Sequence, residues 1–277
     1  MDKIEIKVLN PQAVQDAEKL LVATARITQH AENITCMDDL LMLLDKPYSS
    51  HLLEALIELP HPTLQKFGVI NIAVVGASRR FLAQITRHQN EVKFMSGSLQ
   101  YSDYTDKAQF VVPYEIIVKD KESPAVKDDT GYTDYYRWSY IKSCQQAYAE
   151  YEAAIKHGIN HDAAAYMMPQ GLRNVLLISA TPYQWKHMIS QRICNRNTLE
   201  TQYVMLRCWE ELDKLGTMFD NIGPSCMHGC CNERRLSCHN PLLNTELLNY
   251  RQLHSYSIPT ALLNTHFKYI RKENNNG

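Results

Sequence analysis

Glycine is scarce, at 10 of 277 residues, and none falls into a G-x-G-x-x-G or G-x-x-x-x-G-K-[ST] string. The usual dinucleotide and P-loop phosphate cradles are therefore absent. No stretch approaches the roughly 18 uncharged apolar residues that a membrane span needs. The opening MDKIEIKVLN lacks the apolar core of a signal peptide. These absences lead us to expect a soluble cytoplasmic protein with no membrane partner. Excess charge is also missing: the formal net charge is −1 with 21% charged residues. No global field attracts nucleic acid, and any anion site must be built locally from particular arginines. With no export signal, the eight cysteines read as thiols or metal ligands before disulfides. What is present is a 45% hydrophobic fraction, ample for a core.

Alternation over residues 3 to 9 predicts a strand, and Asn10-Pro11 then open a helix to about Arg26. Short helices are expected at 37–45 and 50–59, the second ended by Pro60 and Pro62. The β-branched stretch 67–75 reads as a buried strand, and Ser78 caps a helix over 79–89. Residues 90–107 read as a loop, 110–118 as a strand that Pro113 places at an edge or a bulge, and 119–131 as a surface excursion. A long helix is expected at 133–157, closed by Gly158, with a short one from Asp162 to Pro169. A strand at 174–179 leads through Thr181-Pro182 into what reads as the longest helix, to about Leu215. A further helix is expected near 244–254. No repeat and no linker divides the chain in two.

On the helix 79–89, Gln84, Arg87 and His88 project from one side, bringing together an amide, a guanidinium and an imidazole. Ser96, Gly97, Ser98, Gln100, Tyr101 and Ser102 follow as a loop of small donors, in which Gly97 lets the backbone approach a ligand. In the later helix Met188, Arg192 and Arg196 form one stripe, with His187 and Gln191 beside it. Spacing alone favours solvated basic faces for both helices. Near the C-terminus Cys226, Cys230, Cys231 and Cys238, interleaved with His228 and His239, contain zinc-type donors. Their C-x3-C-C-x6-C spacing matches no standard finger, so buried or surface thiols are favoured and no metal is assigned. A zinc-stabilised nucleic-acid module on these cysteines is the competing reading from another class.

Two motifs in order, FLAQITRHQ followed by SGSLQYS, and later ATPYQWKHMISQRICNRNTLE, resemble the two signatures of the flavin-dependent thymidylate synthases. ATARIT (23–28), HPTLQKF (61–67), AAAYMMP (163–169) and IGPSC (222–226) resemble further elements of that family, so the likeness spans about 20 to 240. It implies an α+β fold, a mixed α/β single domain over 1–240 with long helices packed on a small antiparallel sheet, and a C-terminal extension over 241–277. It also implies a homotetramer with shared active sites. The implied reaction is reductive methylation of dUMP to dTMP, with methylenetetrahydrofolate as carbon donor, FAD as the hydride-donating cofactor and NADPH as its reductant.

Carried over by position, Gln84, Arg87, Ser98 and Gln100 would hold the nucleotide, and Arg192 would face the pyrimidine as the catalytic group. Thr63, Arg87, His88, Gln89, His187 and Arg196 would contact the flavin. The chain departs from the family pattern at Lys66, where glutamate is usual, and at Gln89, Gln100, Ala165 and Tyr183, where arginines are common. A divergent flavin-dependent nucleotide-modifying enzyme, or a non-catalytic nucleotide-binding relative, is the alternative within the same fold.

Overall fold

The computed structural model describes residues 4–113, 116, 125–128, 131–220, 222–229, 231–239 and 266–268. The chain opens with strand β1 (Glu5–Val8) and helix α1 (Gln12–Gln29). On α1 Val14, Ala17, Leu21, Val22 and Ala25 recur at helical spacing and are buried. Asn10 pins the turn between them: its Nδ2 donates to Val69 O at 2.9 Å and its Oδ1 accepts from Asn71 N at 2.8 Å. Helices α2 (Met37–Asp45) and α3 (Ser50–Glu58) follow, as their patterns predict.

Strand β2 (Ile70–Ser78) runs into α4 (Arg79–Ile85), whose N-cap Ser78 accepts from Phe81 N at 3.1 Å. Strand β3 (Val92–Ser96) lies where composition suggests only a loop. Its Val92 and Phe94 face inward while Lys93 and Met95 point out, and pairing with a neighbouring strand outweighs its polar flanks. Strand β4 (Gln109–Val111) is shorter than expected and stops before Pro113, which has no N–H for a ladder. The excursion after it contains a hairpin, β5 (Ala125–Asp128) with β6 (Gly131–Asp134). Among the described residues the longest helix is α5 (Tyr135–Lys156), followed by the short α6 (His161–Ala164) and strand β7 (Arg173–Ala180).

The long helix expected after β7 is two helices, α7 (Pro182–Arg192) and α8 (Leu199–Asp213). The break follows from Asn197 and Thr198, whose side chains bond locally and start a new helix: Asn197 Nδ2 donates to Gln191 O and Cys194 O, and Thr198 caps α8. In the tail, β8 (His266–Lys268) pairs with β4. The helix expected near 244–254 lies outside the described residues. None of the described helices is long and apolar enough to cross a membrane.

The main sheet has the order β1-β2-β7-β3 and is antiparallel throughout. One face, carrying Ile70, Ile72, Val74, Leu176 and Ile178, packs with α1, α7 and α8 in the principal core. Trp185 of α7 is fully buried there and donates Nε1–H to Ile70 O at 3.0 Å. A second cluster joins α5, through Cys144, Tyr148, Tyr151 and Ala154, to Phe110 and Leu172. Tyr104 is held to α5 from both sides, its O accepting from Tyr148 OH at 2.9 Å and its N donating to Tyr151 OH at 3.2 Å. This anchors the donor-rich loop after β3.

Candidate functional site

Helix α4 ends at Ile85 because Thr86, the C-cap, turns its hydroxyl back to Leu82 O at 2.8 Å. Arg87 and His88 therefore sit on the turn beyond the helix, and their convergence with Gln84 depends on that turn. His88 is 8% exposed, whereas Arg87 and Gln89 are exposed. Opposite stands Arg192, the last residue of α7. Its Nε donates to His88 Nε2 at 2.9 Å, its Nη2 to Gln84 O at 2.9 Å and its Nη1 to Asn197 Oδ1 at 3.3 Å. Three acceptors from three segments fix the guanidinium plane.

The bond to Arg192 uses the Nε2 lone pair, so His88 is neutral with its proton on Nδ1. Burial lowers its pKa to about 4, and the charges of Arg192 and His187 push the same way. His187 meets it edge-on, with ring centroids 5.7 Å apart and planes at 87°. Its pKa is also lowered, by burial first and then by Arg192. The Arg192 pKa is lowered by burial and by Arg87, so its charge is under-solvated and faces a like charge. An anion placed here relieves both costs.

His187 lines two cavities. One, of about 720 Å³, lies between α3 and α7, walled by Ile57, Pro60, Pro62, Gln65, Tyr183 and Lys186. The other, of about 520 Å³, is bounded by Arg192, Arg196, Cys194, Cys226 and Cys231. Burial lowers the Lys186 pKa to about 8, with Glu18 and Asp220 opposing the shift. Arg196 reaches Glu233 Oε2 at 3.4 Å and Leu236 O, tying the cysteine-bearing segment to the α7–α8 junction. Among the described residues no three His, Cys, Asp or Glu side chains are grouped to hold a metal ion; Cys230 lies outside them.

The other expected residues stand apart. Thr63 is exposed on the turn Pro62–Gln65, beside the larger cavity's Pro62 and Gln65. Ser98 Oγ accepts from Gln100 N at 3.1 Å, and Gln100 is exposed. Gly97 presses against β7: its N donates to Val175 O at 3.0 Å, and a Cβ there would stand 2.9 Å from Asn174 Oδ1. The residues that sequence reasoning overlooked are Asn197, Glu200 and Thr201. Glu200 is buried and accepts from Ser78 N at 2.7 Å and Ser78 Oγ at 2.5 Å. Thr201 Oγ1 donates to Gln84 Oε1 at 2.6 Å. All three read as interior positions of one helix, and the local signal for a new helix start was Thr198, a favoured N-cap residue.

The family described as "Thymidylate synthase complementing protein" matches residues 11–215. The chain is 25% identical over 185 residues to a flavin-dependent thymidylate synthase of Pyrococcus abyssi, covering 64% of this chain and 70% of that one. It is 21% identical over 236 residues to a flavin-dependent thymidylate synthase of Geobacter sulfurreducens, covering 84% and 94%. Among solved structures, the UMP/dUMP methylase PolB from Streptomyces cacaoi, crystallised with 5-Br dUMP, superimposes with a TM-score of 0.57 at 16% identity. That likeness covers 79% of this chain and 93% of the other and establishes the fold.

Proposed function

The chain belongs to the thymidylate synthase complementing protein family, and from that membership we propose that it is a flavin-dependent thymidylate synthase converting dUMP to dTMP. In this reading methylenetetrahydrofolate is the carbon donor, NADPH the reductant, and the active form a homotetramer in the cytoplasm. The observation that carries the proposal is Arg192, a half-buried guanidinium fixed by His88, Gln84 and Asn197.

The walls suit a flavin. The larger cavity pairs apolar surfaces, Ile57, Leu59, Pro60 and Ile222, with the Tyr183 ring and the donors of Gln65 and His187. Thr63, Arg87, His88, Gln89, His187 and Arg196 are the residues that would hold FAD. When bound, it supplies the hydride that completes the new methyl group. The remaining tasks fall to the chain. Arg192 stabilises negative charge developing on the pyrimidine, which a preorganised guanidinium in a water-poor site does well. Neutral His88 leaves the positive charge of Arg192 available to the substrate, and its acceptor nitrogen keeps the guanidinium oriented. Gln84, Arg87, Ser98 and Gln100 position the nucleotide.

The test is a titration of the purified protein with FAD, then dUMP, followed through the flavin absorption bands, and then a dTMP-forming assay with NADPH and methylenetetrahydrofolate. Saturable FAD binding that dUMP perturbs, with dTMP formed, is the expected result. FAD binding without dTMP overturns it. One observation favours a second reading: Ala165 is buried on a short turn where the family commonly has arginine, and Gln100 is exposed. Each missing charge-assisted contact costs about 1.5–3 kcal/mol, which weakens dUMP binding; FAD binding that is indifferent to dUMP is the outcome that points to a different nucleotide as substrate.

A further inference from the structure

Gln84 is held twice. Arg192 fixes its main-chain carbonyl, and the Thr201 hydroxyl donates to its side-chain Oε1 at 2.6 Å. Thr201 is fully buried. A threonine hydroxyl has a single proton, so with that proton given to Gln84 it can only accept from other groups. The neighbour that supplies a proton is Thr198, whose Oγ1 lies 2.9 Å from Thr201 Oγ1. Thr198 is the N-cap of α8, and its Oγ1 accepts from Thr201 N at 3.4 Å. A cap oxygen engaged by a backbone N–H keeps its own proton for another acceptor. The direction is thus consistent along the row: Thr198 O–H to Thr201 Oγ1, Thr201 O–H to Gln84 Oε1.

That direction decides what Gln84 offers. Its carbonyl oxygen is turned inward, and its Nε2 has no protein acceptor among the described residues. The half-buried amide therefore presents hydrogen-bond donors alone, and a free glutamine amide, which can rotate by half a turn, would not.

We propose that Thr201, seconded by Thr198, is a positioning residue that locks the Gln84 amide so that the site accepts a pyrimidine carbonyl oxygen and rejects a ring amino group in its place. The inference rests on the proposed nucleotide site and adds its selectivity. A donor-only amide gains a bond from the carbonyl of a uracil ring. Against the amino group of a cytosine ring it meets donor with donor, leaving both desolvated and unpaired. Sites built on such polar complementarity discriminate far more strongly than apolar pockets do.

The experiment compares dissociation constants for dUMP and dCMP on the FAD-loaded protein, by perturbation of the flavin spectrum and by calorimetry. The wild type is expected to prefer dUMP by at least about tenfold, a modest value for a hydrogen-bonded selection. Thr201→Val, which keeps the shape and removes the proton, is expected to lower that preference at least about fivefold, and Thr201→Ser to restore it. Gln84→Glu is the second variant and needs no change at Thr201. With one carboxylate oxygen still bonded to Thr201, the other presents an acceptor, and the preference is expected to shift toward dCMP. A wild type that binds both nucleotides equally, a Thr201→Val protein with undiminished preference, or a Gln84→Glu protein retaining the wild-type order overturns the inference while leaving the synthase reading intact. A wild type that binds neither nucleotide overturns both.

Discussion

His88 shows how one residue sets the acid limit of the site. Its pKa in the fold is lowered to about 4, against about 6.5 in an unfolded chain. Between those values the unfolded chain takes up a proton that the folded chain refuses, so stability present above pH 6.5 is lost as pH falls toward 4. The loss reaches about 3 kcal/mol at the lower end; His187 is shifted in the same direction, but it is exposed and solvent screens its share. We expect His88→Gln, whose amide oxygen still accepts from Arg192, to lose less stability than wild type between pH 7 and pH 4.5. Urea unfolding at the two pH values measures it, and equal losses would mean that His88 is already solvated in the native state. The sequence identified Gln84, His88, His187 and Arg192, and the structure gathers them. It did not reveal that His88 serves Arg192 as an acceptor, because a hydrogen bond between residues 104 apart has no local signature.

At the scale of elements, the site depends on how α4 is tied to α8. Glu200, in the first turn of α8, places both carboxylate oxygens on Ser78, the N-cap of α4. A buried carboxylate at a helix start is favoured by the unpaired N–H groups there. Replacing it leaves Ser78 with a buried donor unsatisfied. Glu200→Ala is expected to cost about 2–4 kcal/mol and to speed amide exchange over 78–85, with Glu200→Gln losing less because one acceptor remains. Denaturant melts with hydrogen exchange check this, and an Ala variant as stable as wild type would assign Glu200 a passive role. The same junction shows where sequence reading fails. Apolar periodicity through 182–215 runs across both helices, so the pattern reports one long helix. The break at 193–198 is made by polar side chains bonding their own backbone, and that break brings Thr198 and Thr201 to Gln84. The edge strand β3 was hidden for the related reason that it is only five residues long and lies inside a polar stretch.

For the whole molecule, the sheet itself argues for partners. Its inner face is filled by α1, α7 and α8, yet its outer face is also apolar. Val75 pairs with Val175 and Met95 with Leu177 in the ladder, and all four are exposed, Met95 at 72% and Val175 at 54%. Four neighbouring apolar side chains on the two inner strands and one edge form a contiguous patch of the sort that marks an interface. Residues facing away from a one-layer core are otherwise polar, as Lys93 is on the same strand as Met95. The proposed homotetramer gives this face an occupant, a second copy of the chain, and it explains why β7 reads as an almost unbroken apolar run instead of alternating. Leu177→Asp places a charge at the centre of the patch without touching the packed face. We expect it to lower the mass measured by light scattering to that of a smaller assembly, while far-ultraviolet circular dichroism stays unchanged. Because an interface that shares active sites would go with it, flavin binding should weaken in the same variant. A Leu177→Asp protein with wild-type mass would show that the assembly is built on another surface, and one with reduced mass but undiminished flavin binding would show that each chain holds its cofactor alone.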